Sequence, residues 1–138
     1  MAILGSRSLS DERVTKILLG YIKKLKPSHL TTSGQCDGVS AIGRSLAKVL
    51  PIPIILHYLD LKKAQGKYEA RNIAMLQDTD VAILIHDGES IGTLNELELC
   101  KKMNIMYYYE KLEKLPEGNI LGADPEDRLD IETMDNII

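Results

Sequence analysis

Val81-Ala82-Ile83-Leu84-Ile85 runs five residues without a charge or a polar side chain, and a helical pattern begins a few residues later. A strand with no polar face has to be covered on both faces. The same alternation runs along the chain. Ala2-Ile3-Leu4, the β-branched stretch within Ser28 to Gly34, the segment from Ile52 and the segment from Ile105 read as further strands. Between them lie amphipathic stretches of helical spacing. Short continuous strands alternating with helices of three to four turns predict a parallel sheet of about five strands with helices on both faces.

The first helix carries Val14, Ile17, Leu18, Tyr21, Ile22 and Leu25 on one stripe, with Ser8 or Ser10 as its cap and Pro27 as its stop. The second carries Val39, Ile42, Leu46 and Val49 or Leu50. The third, within Tyr68 to Asp78, offers Ala70, Ile73, Ala74 and Leu76 to the core, and the fourth spans Thr93 to Met103 with Leu94, Leu97 and Cys100 or Lys101 marking its faces. Pro53 marks the third strand as an edge or sits in its first residues. Asp60 to Lys67 reads as a polar loop.

The 138 residues suit one core. From Glu110 onward there are nine acids against three bases, net −6, and the rest of the chain is net +3. Residues 1–109 therefore form the expected domain and 110–138 an acidic C-terminal extension. Neither charge balance is the clustered basic stripe of a nucleic-acid binder, and the six aromatics are all Tyr, so nucleic acid is not expected as a partner. Cys36 and Cys100 form no metal or redox spacing, and no apolar run is long enough to span a membrane; a cytoplasmic protein is expected.

In an open parallel sheet, ligands sit outside the carboxyl ends of the strands. Here those ends carry Gly5-Ser6-Arg7, Ser33 to Gly38, His57 with Tyr58, and His86 to Thr93. The opposite connections, such as Lys26-Pro27-Ser28 and Asp78-Thr79-Asp80, are short and plain. Two of the polar segments pass from a strand through G-x-x-x-G into a helix start, Gly34 to Gly38 and Gly88 to Gly92. Glycine lets an anion approach the backbone, and a helix start offers unpaired N–H groups. Ser33, Ser90 and Thr93 would add hydroxyls. Neither loop is a dinucleotide fingerprint or a P-loop. Each glycine also serves as a plain turn, and Ser90 or Thr93 as a plain cap. Gly88-x-Ser90-x-Gly92 spells a hydrolase nucleophile elbow, but no His follows His86 in the chain. Arg7 and Arg71 are the arginines nearest these loops, with a surface ion pair to Asp11 or Glu12 as the plainer role for Arg7. Glu96, one turn into the fourth helix, is placed to face the crevice; Glu98, about 200° further round, is expected to face away.

Taken together, "GSRS" at Gly5, "SGQCDG" at Ser33, "ARNIAML" at Ala70 and "DGESIGTLNE" at Asp87 resemble the SLOG superfamily, the Rossmann-like domains that include the DprA and LOG proteins. The pattern followed is that of the YspA-type, YpsA-related branch: GSR, SGG-x-x-G-x-D, RN-x-x-M, then G-x-S-x-GT after a strand. The likeness covers Ile3 to about Tyr109. The chain departs from it at Gln35, at Ser40 and at Tyr68-Glu69 before the RN pair.

The resemblance implies a pocket for a nucleotide or a nucleoside-diphosphate-ribose (ADP-ribose-like) ligand. No carboxylate–histidine cluster has metal-ligand spacing, so no metal is expected, and no cofactor is required. Carried over by position, its lining would be Gly5, Ser6, Arg7, Ser33, Gly34, Asn72, Gly88, Ser90, Gly92 and Thr93. Gly38 joins them from the loop reading. LOG proteins hydrolyse nucleoside 5′-monophosphates at the N-glycosidic bond, using an Arg and the Glu of GT-x-x-E, and Arg71 and Glu96 match those positions. Binding or sensing of such a ligand is the first expectation, and phosphoribohydrolase activity with Arg71 and Glu96 catalytic is the alternative. A homodimer is implied by the LOG likeness alone, and a DprA-like DNA-binding role is disfavoured by the charge and the lack of aromatic platforms.

Overall fold

A computed structural model describes residues 1–58 and 69–115. Strands β1 (Ala2–Gly5), β2 (Leu30–Ser33), β3 (Ile54–His57), β4 (Val81–His86) and β5 (Met106–Lys111) alternate with helices α1 (Glu12–Leu25), α2 (Gly38–Val49), α3 (Glu69–Gln77) and α4 (Ile91–Lys102). All strand pairs are parallel, in the order β3-β2-β1-β4-β5. The protein is an α/β, Rossmann-like open sheet covered on both faces.

The two faces explain the unbroken apolar strands. Ile3, Ile83 and Ile85 pack with Val14, Leu18 and Ile22 of α1 and Val39 and Leu46 of α2. Ala2, Leu4, Ala82 and Leu84, one residue out of phase, pack with Met75 and Leu76 of α3 and Leu99 and Cys100 of α4. Successive side chains of one strand thus enter two separate cores. Burying each Val, Leu, Ile or Met side chain among these contributes about 1.5–3 kcal/mol.

Pro53 directly precedes β3, an edge strand, and its carbonyl accepts from the Leu30 N–H at 2.8 Å. Lacking an N–H of its own, it is suited to that margin.

Several local expectations are corrected. Asp11, not Ser8 or Ser10, caps α1 by accepting from the Arg13 N–H at 3.1 Å. Ser10 accepts from the Gly38 N–H instead, and Ser8 donates to Asp87. In α2, Leu50 packs on the core whereas Val49 is 53% exposed. In α3, Ala70 is exposed and Met75 fully buried. Helix α4 starts at Ile91, and Leu94 is 42% exposed while Leu99 takes the buried position. In α4 a buried Glu and Thr occupy core-facing positions, so the apolar spacing misleads. Strand β5 continues through Lys111, where it pairs with His86. The Asp60–Lys67 loop and Tyr68 lie outside the described residues, as does the acidic extension from 116 onward.

Candidate functional site

The chain runs β1-β2-β3 outward in one direction, then crosses back to place β4 on the other side of β1. Helices α1 and α2 cover one face, α3 and α4 the other. Beyond the carboxyl ends of β1 and β4 the two connections therefore part to opposite faces, which opens a crevice at the switch point of the sheet. A cavity of about 940 Å³ lies there. Its walls come from Gly5 at the end of β1 and Arg7 just after it, Gln35 after β2, the start of α3 at Arg71 and Asn72, and one side of α4.

The β4–α4 turn is held from below. The Asp87 carboxylate accepts from the Glu89 N–H at 2.9 Å, the Ser90 N–H at 2.7 Å and the Ser8 hydroxyl at 2.6 Å. Burial opposes its charge, but the Ser8 hydroxyl, those two N–H groups and Lys114 outweigh it and hold the carboxyl at about 2. His86, buried beside it, spans from Tyr109 to the turn: Nδ1 lies 2.6 Å from the Tyr109 hydroxyl and Nε2 3.0 Å from the Ser90 carbonyl. A carbonyl only accepts, so Nε2 carries a proton. His86 and Asp87 are thus structural here, and the His86 ring engages the Ser90 backbone rather than its hydroxyl. A serine–histidine pair of the elbow type is not formed.

Ser90 stands at the N-cap of α4 yet makes no side-chain cap hydrogen bond. The first-turn N–H groups have no partners within a helix, and the cavity reaches Ser90, Gly92 and Thr93. A Cβ added at Gly92 would meet nothing closer than Ser90 Oγ at 4.0 Å, so that glycine opens onto space.

One turn on, Glu96 lines the same cavity and is only 8% exposed. Burial pushes its carboxyl up to about 7, partly offset by the positive charge of Arg71. The Cys100 thiol, one turn further, is pushed up to about 11 by burial and by Glu96. Arg71 Nε and Nη2 donate to Asn72 Oδ1 at 3.3 and 3.1 Å. Arg7 Nε donates to Asp37 Oδ1 at 2.9 Å, not to Asp11 or Glu12; Asp11 is taken by Arg13.

Of the residues expected at the site, Gly5, Arg7, Arg71, Asn72, Ser90, Gly92, Thr93 and Glu96 border the cavity. Ser6 and Ser33 are buried behind it; Ser6 contacts Thr93, and Ser33 donates to Ser40. Gly34 lies beneath the ring of Tyr58. Gly38 has φ +75°, and a Cβ there would collide with the Ser6 carbonyl and the Arg7 backbone. Gly88, at φ +88°, turns the chain against Lys111. Glu98 also borders the cavity, against expectation, while its exposed carboxylate lies 3.4 Å from Lys101 Nζ. Asn95, Leu99 and Lys102 complete this wall unforeseen. Their signal was present: counting from Gly92 in steps of three and four reaches 95, 96, 99 and 102.

No helix among the described residues is long and apolar enough to cross a membrane. No protein family, curated protein or solved structure matches the chain.

Proposed function

We propose that the cavity at the switch point binds a nucleotide or a nucleoside-diphosphate-ribose-like ligand. The observation that carries this reading is one space of about 940 Å³ bordered by an uncapped helix start, two arginines and a buried carboxyl. That volume is within the range of small-molecule sites. The start of α4 and the guanidinium of Arg7 or Arg71 suit phosphoryl oxygens. Glu96 suits a sugar hydroxyl, which can donate to it.

Hydrolysis of an N-glycosidic bond is the second reading, and the position of Glu96 favours it. A carboxyl at about 7 is near half-ionised at neutral pH, the range in which a general base works best. Water would add to the anomeric carbon and give its proton to Glu96, while the C–N electron pair leaves with the base. Arg71 would hold the phosphate, and fixed geometry would supply much of the rate.

Mass spectrometry of small molecules released from the purified protein, followed by incubation with AMP, NAD and ADP-ribose, tests both readings. Bound nucleotide without turnover supports the first. Base release that disappears in Glu96→Gln supports the second. Absence of binding to all three sinks both.

A further inference from the structure

After β5 the chain stays on the body of the protein. The Leu112 N–H donates to the His86 carbonyl at 2.8 Å, and the Leu112 side chain packs on the core that α1 and α2 cover. The Glu113 carbonyl then accepts from Arg13 Nη2 at 2.8 Å, in the first turn of α1. Leu115 borders a groove of about 690 Å³ between α1 and α2. Residues 112–115 therefore strap across the start of α1 and carry the chain from β5 toward α2.

This groove shares no described lining residue with the cavity at the switch point. Its α2 side is formed by Ile42, Leu46 and Val49, a stripe at helical spacing. Val49 is 53% exposed and Leu115 57%, so two large apolar side chains stand open in one groove. On the α1 side lies Glu12, whose buried Oε2 has no hydrogen-bond partner among the described residues. An occupant that suits these walls brings aliphatic side chains together with an N–H donor. A peptide segment brings both, whereas a hydrocarbon chain brings no donor.

The sequence that follows has that composition. Residues 116–121 read Pro-Glu-Gly-Asn-Ile-Leu, with a single acid and an adjacent aliphatic pair, and the acids of the extension gather from Asp124 onward. From Ile42 to Val49 the stripe runs about 10 Å along α2, and six extended residues span about 20 Å. We propose that residues 116–121 continue the strap into this groove, bringing the Ile120–Leu121 pair to Val49 and a backbone N–H to Glu12. The segment begins at the groove, so its docking is intramolecular and has a high effective concentration, an advantage that a separate partner lacks. Charge agrees with this direction of travel: the last turn of α2 carries Lys48, and the acids from Asp124 follow three residues behind the docked pair. The inference is independent of the function proposed above.

The test uses NMR on the full chain with labelled Ile, Leu and Val methyl groups. Nuclear Overhauser contacts are expected between the methyls of Ile120 or Leu121 and those of Val49. The amides of Asn119, Ile120 and Leu121 are expected to exchange with solvent about tenfold more slowly than in a free peptide of residues 116–121. In Val49→Asp, a change at a half-exposed position, the contacts vanish and exchange returns to within about twofold of the peptide rate. Ile120→Asp combined with Leu121→Asp has the reciprocal effect: the Val49 methyls shift and become more accessible to a soluble paramagnetic agent. Absence of the contacts in the native chain, or exchange of its three amides at the peptide rate, overturns the proposal. So does cover of Val49 that persists in the double variant. If that cover grows with protein concentration, a second copy holds the groove; if it does not, another part of the chain does.

Discussion

The two G-x-x-x-G loops, Gly34 to Gly38 and Gly88 to Gly92, have the same spacing and follow strands that flank β1 on either side. Their glycines do different work. In the first loop both are used up by the fold: Gly34 accommodates the ring of Tyr58, and Gly38 takes a left-handed conformation against the backbone of Ser6 and Arg7. In the second, Gly88 serves the turn, while Gly92 lies in ordinary helical backbone with open space before it. A glycine spacing therefore reports where a chain turns sharply. What lies in front of each glycine decides whether a ligand can use it.

The largest effect expected from breaking this contrast is at Gly38. Gly38→Ala forces a side chain into a positive-φ position and against fixed backbone, and should cost about 2–4 kcal/mol in urea denaturation. A loss below about 0.5 kcal/mol would mean that the first loop is not packed as described. Behind the second loop, Glu96→Gln should act in the opposite sense. The carboxyl rises from an ordinary 4.5 to about 7 on folding, so its favourable contribution is complete below pH 4.5 and is lost as pH rises through about 7. Glu96→Gln should thus be more stable than the native protein at pH 8 by up to about 3 kcal/mol, with the advantage gone near pH 4. Thermal unfolding at the two pH values checks this, and equal melting curves at pH 8 would contradict the burial of a poorly satisfied carboxyl.

A third test reaches the base of the second loop. Asp87→Ala removes the acceptor for two backbone N–H groups and the Ser8 hydroxyl, and should cost about 2 kcal/mol. With the folded value at about 2, the native contribution is present above the ordinary 3.8 and fades as pH falls through about 2. The smallest effect on stability separates fold from site most cleanly. Gly92→Ala should gain about 0.5–1 kcal/mol through helix propensity, yet its methyl enters the cavity. Titration with ADP-ribose should show weaker binding by the more stable protein; unchanged affinity would place the ligand away from Gly92.

The sheet was legible because strands with two apolar faces leave a parallel sandwich as their natural solution, and β4 states that in five residues. The connections were legible for the same reason, since polar residues gathered at one end only. The register of α4 was not. Buried Thr93 and Glu96 hold positions where apolar periodicity looks for Leu, so the pattern pointed to Leu94, which faces solvent. The cavity wall was hidden for a related reason: Asn95 and Lys102 read as ordinary helix surface until α3 is set opposite them. Spacing could not distinguish Ser6, which is buried behind the wall, from Arg7, which stands in it. That difference depends on a contact across 87 residues of chain.

The strand order also has a consequence for the growing chain. Strand β1 is translated before the other four but lies in the middle of the sheet, with β4 as one of its two neighbours. Until residue 86 has been made, Ala2–Gly5 has one open backbone edge, and Ile3 lacks the cover of Ile83 and Ile85. Distant pairings of this kind slow folding and leave nascent strands sticky. The stage most exposed to aggregation is thus the interval between synthesis of β2 and release of β4, when the centre of the future sheet is still an edge.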